Sequence, residues 1–138
     1  MSIKGADIRN IAVIGHSGEG KTSVVEAILF NGGTTDRLGK VTDGNTVTDC
    51  DEQEIARKMS TSLSMAYTMW DGVKLNLLDV PGFYDFEGEE NEALRAAGGA
   101  LTVTGATGTL TVGAEKAIDK CLKNKIPMVV FINGVDKD

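Results

Sequence analysis

Aromatic residues are scarce in this chain: one Trp, two Tyr and four Phe make up 5% of its 138 residues. A core built from it must rely on Val, Ile, Leu and Ala, and together with 17 glycines that composition suits an open α/β domain with functional glycine loops. Cysteine is equally sparse. Cys50 and Cys121 form neither a metal-ligand spacing nor a disulfide framework, so reduced thiols are expected. Basic residues are outnumbered, 14 Lys and Arg against 20 Asp and Glu, for a net charge of −6. That balance speaks against binding nucleic acid or an anionic membrane through a general field; no direct DNA binding is expected, and any nucleic-acid partner must be met locally or through another domain. No apolar run approaches the length of a membrane span and no signal peptide is evident. The expectation is a soluble, cytoplasmic protein with no membrane partner.

Against these absences stands one conspicuous stretch, Gly15-His16-Ser17-Gly18-Glu19-Gly20-Lys21-Thr22, which fits G-x-x-x-x-G-K-[ST]. It follows an apolar run, Ile11 to Ile14, that reads as a buried strand, and precedes Ser23 to Phe30, which reads as a helix. Glycines at 15, 18 and 20 free the backbone to turn successive N–H groups inward around a phosphate. The helix points its positive N-terminal end at the same place. Ser17, Gly18, Glu19 and Gly20 would thus hold phosphate through their backbone, Lys21 would reach the outer phosphates, and the Thr22 hydroxyl would ligate Mg2+.

The rest of the chain alternates strands and helices. A first strand spans 9–15, and the helix from Lys21 runs to about Asn31, where Gly32-Gly33 stops it. Residues 34–58 are polar and without clear period, a loop long enough to be a switch segment. Two β-rich segments, 60–70 and 73–79, are joined by Asp71-Gly72, a hairpin signal. The second ends in Asp79-Val80-Pro81-Gly82, where an acid at a strand end can hold Mg2+ and the Gly82 N–H can meet a terminal phosphate. A helix over 87–97, a strand over 99–104, a helix over 113–124 and a strand over 127–132 follow, the last running into Asn133-Gly134-Val135-Asp136. Mainly parallel strands with one antiparallel hairpin are expected, in a three-layer α/β/α arrangement.

A phosphate loop, a long switch, Asp-x-Pro-Gly and Asn-x-x-Asp in this order resemble the nucleotide domain of a translational GTPase. The similarity is strongest to bacterial elongation factor G and its paralogues, in Arg-Asn-Ile-Ala-Val-Ile-Gly-His at 9–16, Asp-Val-Pro-Gly-Phe-Tyr-Asp-Phe at 79–86, Glu-Ala-Leu-Arg-Ala-Ala at 92–97 and Val-Gly-Ala-Glu-Lys-Ala at 112–117. The resemblance covers 9–138 and implies GTP and GDP binding, Mg2+ dependence, and GTP hydrolysis coupled to the ribosome in a full-length factor. It implies that Asn133 and Asp136 read guanine, Asp136 by accepting from the N1–H and 2-amino group. It also aligns Ser60 with the switch threonine that joins Thr22 and Asp79 around Mg2+.

Departures from the family pattern carry their own expectations. Gly134 stands where a lysine stem usually lies along the base, which should weaken affinity. Phe83 stands where elongation factor G has the histidine that positions the attacking water. Phenylalanine cannot orient water by hydrogen bonding, so no catalytic residue is assigned and slow hydrolysis is expected. His16 is expected to turn aside while its backbone serves the loop. Trp70 should close the hairpin and Phe86 pack a helix on the sheet, with Phe83 and Tyr84 as a gate at the phosphate in the functional alternative. The family's last strand, second guanine loop and closing helix have no counterpart after 136, so the chain is expected to be the N-terminal part of a GTP-binding domain from a larger factor, its 128–132 strand an exposed edge prone to self-association. Two other readings remain open: a nucleotide-binding switch module with little or no intrinsic hydrolysis, and an adenine-nucleotide protein of the same fold.

Overall fold

A computed structural model describes residues 3–136. Strand β1 (Ile8–Ile14) leads into helix α1 (Lys21–Asn31), and a short helix α2 (Glu52–Arg57) precedes the hairpin of β2 (Ser64–Trp70) and β3 (Val73–Asp79). Helix α3 (Glu87–Ala96), strand β4 (Gly99–Gly105), helix α4 (Val112–Lys123) and strand β5 (Met128–Asn133) complete the order. The five strands form one sheet in the order β2-β3-β1-β4-β5. Only the β2–β3 pair is antiparallel.

The expected fold class is the observed one, and the reason is legible in β1. Being central and covered on both faces, it is apolar at successive positions, and alternate side chains enter different cores. Ala12 and Ile14 pack with Ala93, Leu94, Ala117 and Cys121 beneath α3 and α4. Val13 packs with Val24, Val25 and Leu29 of α1 on the other face. Because β1 lies between β3 and β4, the chain leaves the sheet in different directions from its C-terminal edge, which opens a crevice there. Residues 15–22 occupy that crevice.

Local chemistry sets the boundaries. At the hairpin, Asp71 and Gly72 take φ of 47° and 78°, the two positive values that a tight two-residue turn needs, and Trp70 pairs with Val73 beside it. Trp70 closes the hairpin as expected, although its side chain is 58% exposed. Gly32 ends α1, its N–H donating to the Ile28 carbonyl, and a Cβ there would strike the Thr68 hydroxyl of β2. The featureless reading of 34–58 requires correction. That segment contains α2, begun by a capping box in which the Asp51 side chain accepts from the Gln53 N–H while Glu54 reaches back to the Asp51 N–H. Lys58, at φ 54°, terminates it. The first strand of the hairpin starts at Ser64 rather than Ser60, because residues 60–62 turn instead around Glu54.

Strand β5 lies at the sheet edge, as read from the sequence. Val129, Val130, Phe131 and Ile132 are 65%, 45%, 43% and 57% exposed. Between α1 and β5 an apolar groove of about 490 Å3 runs past Ala27, Ile28, Trp70 and Phe131. No helix among the described residues is long and apolar enough to cross a membrane.

Candidate functional site

The phosphate loop is held open by its glycines. Gly15, Gly18 and Gly20 have φ of 139°, 81° and 88°, conformations that L side chains rarely adopt. Gly20 is also the N-cap of α1 and makes no side-chain cap, so the first-turn N–H groups of that helix face the crevice without a local side-chain acceptor at the cap. Lys21 is buried, and its ammonium folds back over the loop to donate to the His16 carbonyl at 2.8 Å. Burial pushes its pKa down, opposed by the nearby carboxylates of Asp79 and Glu19. Gly82 crowds the same loop from the far side: a Cβ there would lie 2.6 Å from the Ser17 nitrogen and 2.8 Å from the His16 carbonyl carbon. Glycine is therefore a steric requirement at 82.

Glu19 entered the sequence reading only as backbone, and the structure adds a second use. Its buried carboxylate accepts from the His16 N–H at 2.9 Å, from Thr111 Oγ1 at 2.8 Å and from Thr104 Oγ1 at 3.4 Å. Its carbonyl accepts from Asn133 Nδ2 at 2.9 Å. One residue thus ties the loop to β4, to the start of α4 and to the end of β5. No local pattern announces this, since the partners lie 85 to 114 residues away. His16 turns aside, its ring against the backbone of Gly113 in α4.

Beside the loop, hydroxyls and carboxylates from three segments converge. Thr22 Oγ1 donates to Asp79 Oδ2 at 2.8 Å, and Thr48 Oγ1 donates to the same oxygen at 2.8 Å. Ser60 Oγ donates to Asp49 Oδ1 at 2.6 Å and lies 3.2 Å from Thr22 Oγ1. Burial raises the Asp79 carboxyl to about 6, against the hydrogen bonds from Thr48 and Thr22 that favour its charge. Burial raises Asp49 as well, opposed by the Ser60 hydrogen bond. Thr48 and Asp49 were not singled out by sequence, only the segment containing them.

These groups fit a hard cation. Each hydroxyl has one proton. Thr22 donates to Asp79 and Ser60 donates to Asp49, which leaves lone pairs on both hydroxyl oxygens, 3.2 Å apart. Asp79 Oδ1 is buried and unpartnered beside them. Oxygen donors of this kind suit Mg2+, which completes its shell with water and phosphate oxygens.

Ser17, Gly18, Gly20, Lys21, Thr22, Ser60 and Gly82 line one cavity of about 180 Å3, joined by Asp49 and Lys58. Asn133 and Asp136 do not line it. Asn133 ends β5 and reaches the loop through Glu19, while Asp136 lies in the exposed turn beyond it. Gly134 has φ of 74°, so the backbone here suits the glycine that replaces the family's lysine. Phe83 is 41% exposed and borders a small hollow with Gly15, Gly113 and Lys120. The Tyr84 half of the gate alternative lies outside the described side chains.

The model of the elongation factor Tu GTP binding domain matches residues 6–138. The chain belongs to that family. Within it, the elongation-factor-G type is indicated by an elongation factor G-like protein of Mycobacterium tuberculosis, 40% identical over 129 residues that are 94% of this chain and 18% of the relative. A mitochondrial ribosome-releasing factor 2 of Drosophila willistoni is 38% identical over 132 residues, 96% of this chain and 18% of that protein. A crystal structure of a protein from Thermus thermophilus superposes with a TM-score of 0.90 at 36% identity, covering 97% of this chain and 20% of that one. The chain spans about a fifth of the length of these relatives.

Proposed function

We propose that this elongation factor Tu-family domain binds GTP and GDP with Mg2+ and serves as the nucleotide switch of an elongation-factor-G-like factor on the ribosome, in the cytoplasm. The observation that carries the reading is the single cavity at which the glycine loop, Lys21, Thr22, Ser60 and Gly82 meet, with Asp79 hydrogen-bonded to Thr22 behind it. In it, loop N–H groups and Lys21 bind the β- and γ-phosphates. Thr22, Ser60 and Asp79 hold Mg2+, which when bound neutralises phosphate charge. The Gly82 N–H senses the terminal phosphate, and Asn133 with Asp136 selects guanine. Lys21 has three N–H donors and gives one to the His16 carbonyl, which leaves two for phosphate oxygens.

The second reading, a switch with little intrinsic turnover, is favoured by Phe83, which presents an exposed ring and no hydrogen-bonding group at the place of the water-positioning histidine. On that reading hydrolysis stays slow in the full-length factor, with or without ribosomes. Single-turnover GTP hydrolysis by the full-length factor, with and without ribosomes, separates the two. Acceleration by ribosomes supports the GTPase; a rate unmoved by ribosomes supports the silent switch. Displacement of a fluorescent GDP analogue by unlabelled GDP but not ADP tests guanine selection. Equal displacement by ADP would overturn it in favour of an adenine nucleotide.

A further inference from the structure

The carboxylate of Glu54 is 1% exposed, yet among the described residues no Lys, Arg or His forms an ion pair with it. Five donors take the place of a cation. Oε1 accepts from the Thr61 N–H at 2.9 Å, the Ser62 N–H at 3.2 Å, Thr61 Oγ1 at 3.3 Å and Ser62 Oγ at 3.2 Å, while Oε2 accepts from the Asp51 N–H at 3.4 Å. A buried carboxylate surrounded in this way fixes the backbone that supplies its donors. That backbone begins one residue after Ser60. On the other side Lys58, with φ of 54°, turns the chain sharply out of α2, and the Met59 N–H donates back to the Glu54 carbonyl at 3.1 Å. Ser60 is therefore held between two attachments to one residue.

Resting on the proposed Mg-nucleotide site, we infer that Glu54 is the positioning residue that delivers the Ser60 hydroxyl to it. Glu54 touches neither phosphate nor cation. It acts by setting where the 60–62 backbone runs, and so whether Ser60 Oγ can stand 3.2 Å from Thr22 Oγ1 and 2.6 Å from Asp49 Oδ1. Glu26 does a different job, its buried carboxylate accepting from the N–H groups of Gly39 and Val47 farther back in the same segment. Because Ser60 is the only one of the three proposed cation ligands contributed by this segment, losing its placement leaves Thr22 and Asp79 in position. The effect falls on the state in which the switch closes over the terminal phosphate, and spares the diphosphate state.

The test uses the whole 138-residue chain as wild type, Glu54→Gln and Glu54→Ala. Magnesium is titrated against a bound non-hydrolysable GTP analogue and, separately, against bound GDP; amide hydrogen exchange over 59–63 is followed without nucleotide. Glu54→Ala should raise the Mg2+ half-saturation with the GTP analogue by about 10- to 100-fold, the usual loss when a group supporting a metal ligand is removed, and leave the GDP titration within about twofold. Exchange of the Thr61 and Ser62 amides should quicken. Glu54→Gln keeps one oxygen acceptor but cannot accept at both ends, so it should lie between the two. Equal weakening for both nucleotides would assign Glu54 a structural role only, and unchanged exchange at 61 and 62 would overturn the inference directly. A wild-type chain that binds neither nucleotide, with those amides still protected, would refute the nucleotide reading itself and with it the role given to Glu54.

Discussion

Replacing Asp79 by Asn should stabilise the metal-free domain while removing its cation site. Burial lifts this carboxyl from the ordinary 3.8 to about 6. At about 1.4 kcal/mol for each tenfold in the proton equilibrium, the displacement amounts to about 3 kcal/mol, an upper figure for what ionised Asp79 costs the fold. The folded state binds more protons than the unfolded one between these two values, so stability is highest below pH 4 as far as this group is concerned and falls as pH rises through 6. Asp49, raised by burial as well, adds a slope of the same sign. Subtracting the Asp79→Asn curve from the wild-type curve isolates Asp79. The assay is urea unfolding of nucleotide-free protein in chelator at several pH values from 4 to 8. Asp79→Asn should be the more stable above pH 6, by about 1 to 3 kcal/mol once Thr22 and Thr48 reorient toward the amide, and should lose Mg2+ dependence of nucleotide binding. A difference between the two proteins that does not change with pH, or an Asn variant less stable at pH 7 without metal, would refute the reasoning.

Other substitutions probe separate parts of the site. Gly82→Ala places a methyl against the Ser17 and His16 backbone and should cost about 1 to 3 kcal/mol of GTP affinity, measured by fluorescent nucleotide titration; wild-type affinity would show that the loop yields freely. Glu19→Ala strips the acceptor from the His16 N–H and two threonine hydroxyls and should lower unfolding free energy by about 1 to 3 kcal/mol, read by urea denaturation. Phe83→His should raise single-turnover hydrolysis by about tenfold or more if water orientation limits the reaction; no change in rate would place that limitation elsewhere.

The hydrophobic pattern carried most of the fold. Ala12, Val13 and Ile14 are apolar in succession because both faces of β1 are covered, and Asp71-Gly72 names its turn by the positive φ that both positions adopt. The phosphate loop was legible for the same local reason. Helix α2 was missed although its capping box, Asp51 to Glu54, stands in the sequence, because its apolar content is little more than Ile55 and its anchoring comes from a buried carboxylate. Glu19, Thr48 and Asp49 escaped for a different reason. The partners of Glu19 in β4, at the start of α4 and in β5, and of Thr48 in β3, lie 31 to 114 residues away, and that of Asp49 lies 11 away beyond α2. Nothing in a glutamate's neighbours says that its carboxylate will turn inward to collect N–H and hydroxyl donors. Ser60 was found only through family resemblance, and its distance to Thr22 and Asp49 shows what the spacing alone could not.

One cavity, lined by Ser17, Gly18, Gly20, Lys21, Thr22, Ser60 and Gly82 with Asp79 behind Thr22, is proposed to hold a magnesium guanine nucleotide. Calorimetric titration of this chain with Mg-GDP, Mg-GTP and Mg-ADP, beside Lys21→Ala, addresses it directly. Both guanine nucleotides should bind, ADP should not, and the lysine variant should bind none of the three. A folded wild-type chain that binds none of the three, or that binds ADP as well as GDP, would contradict it.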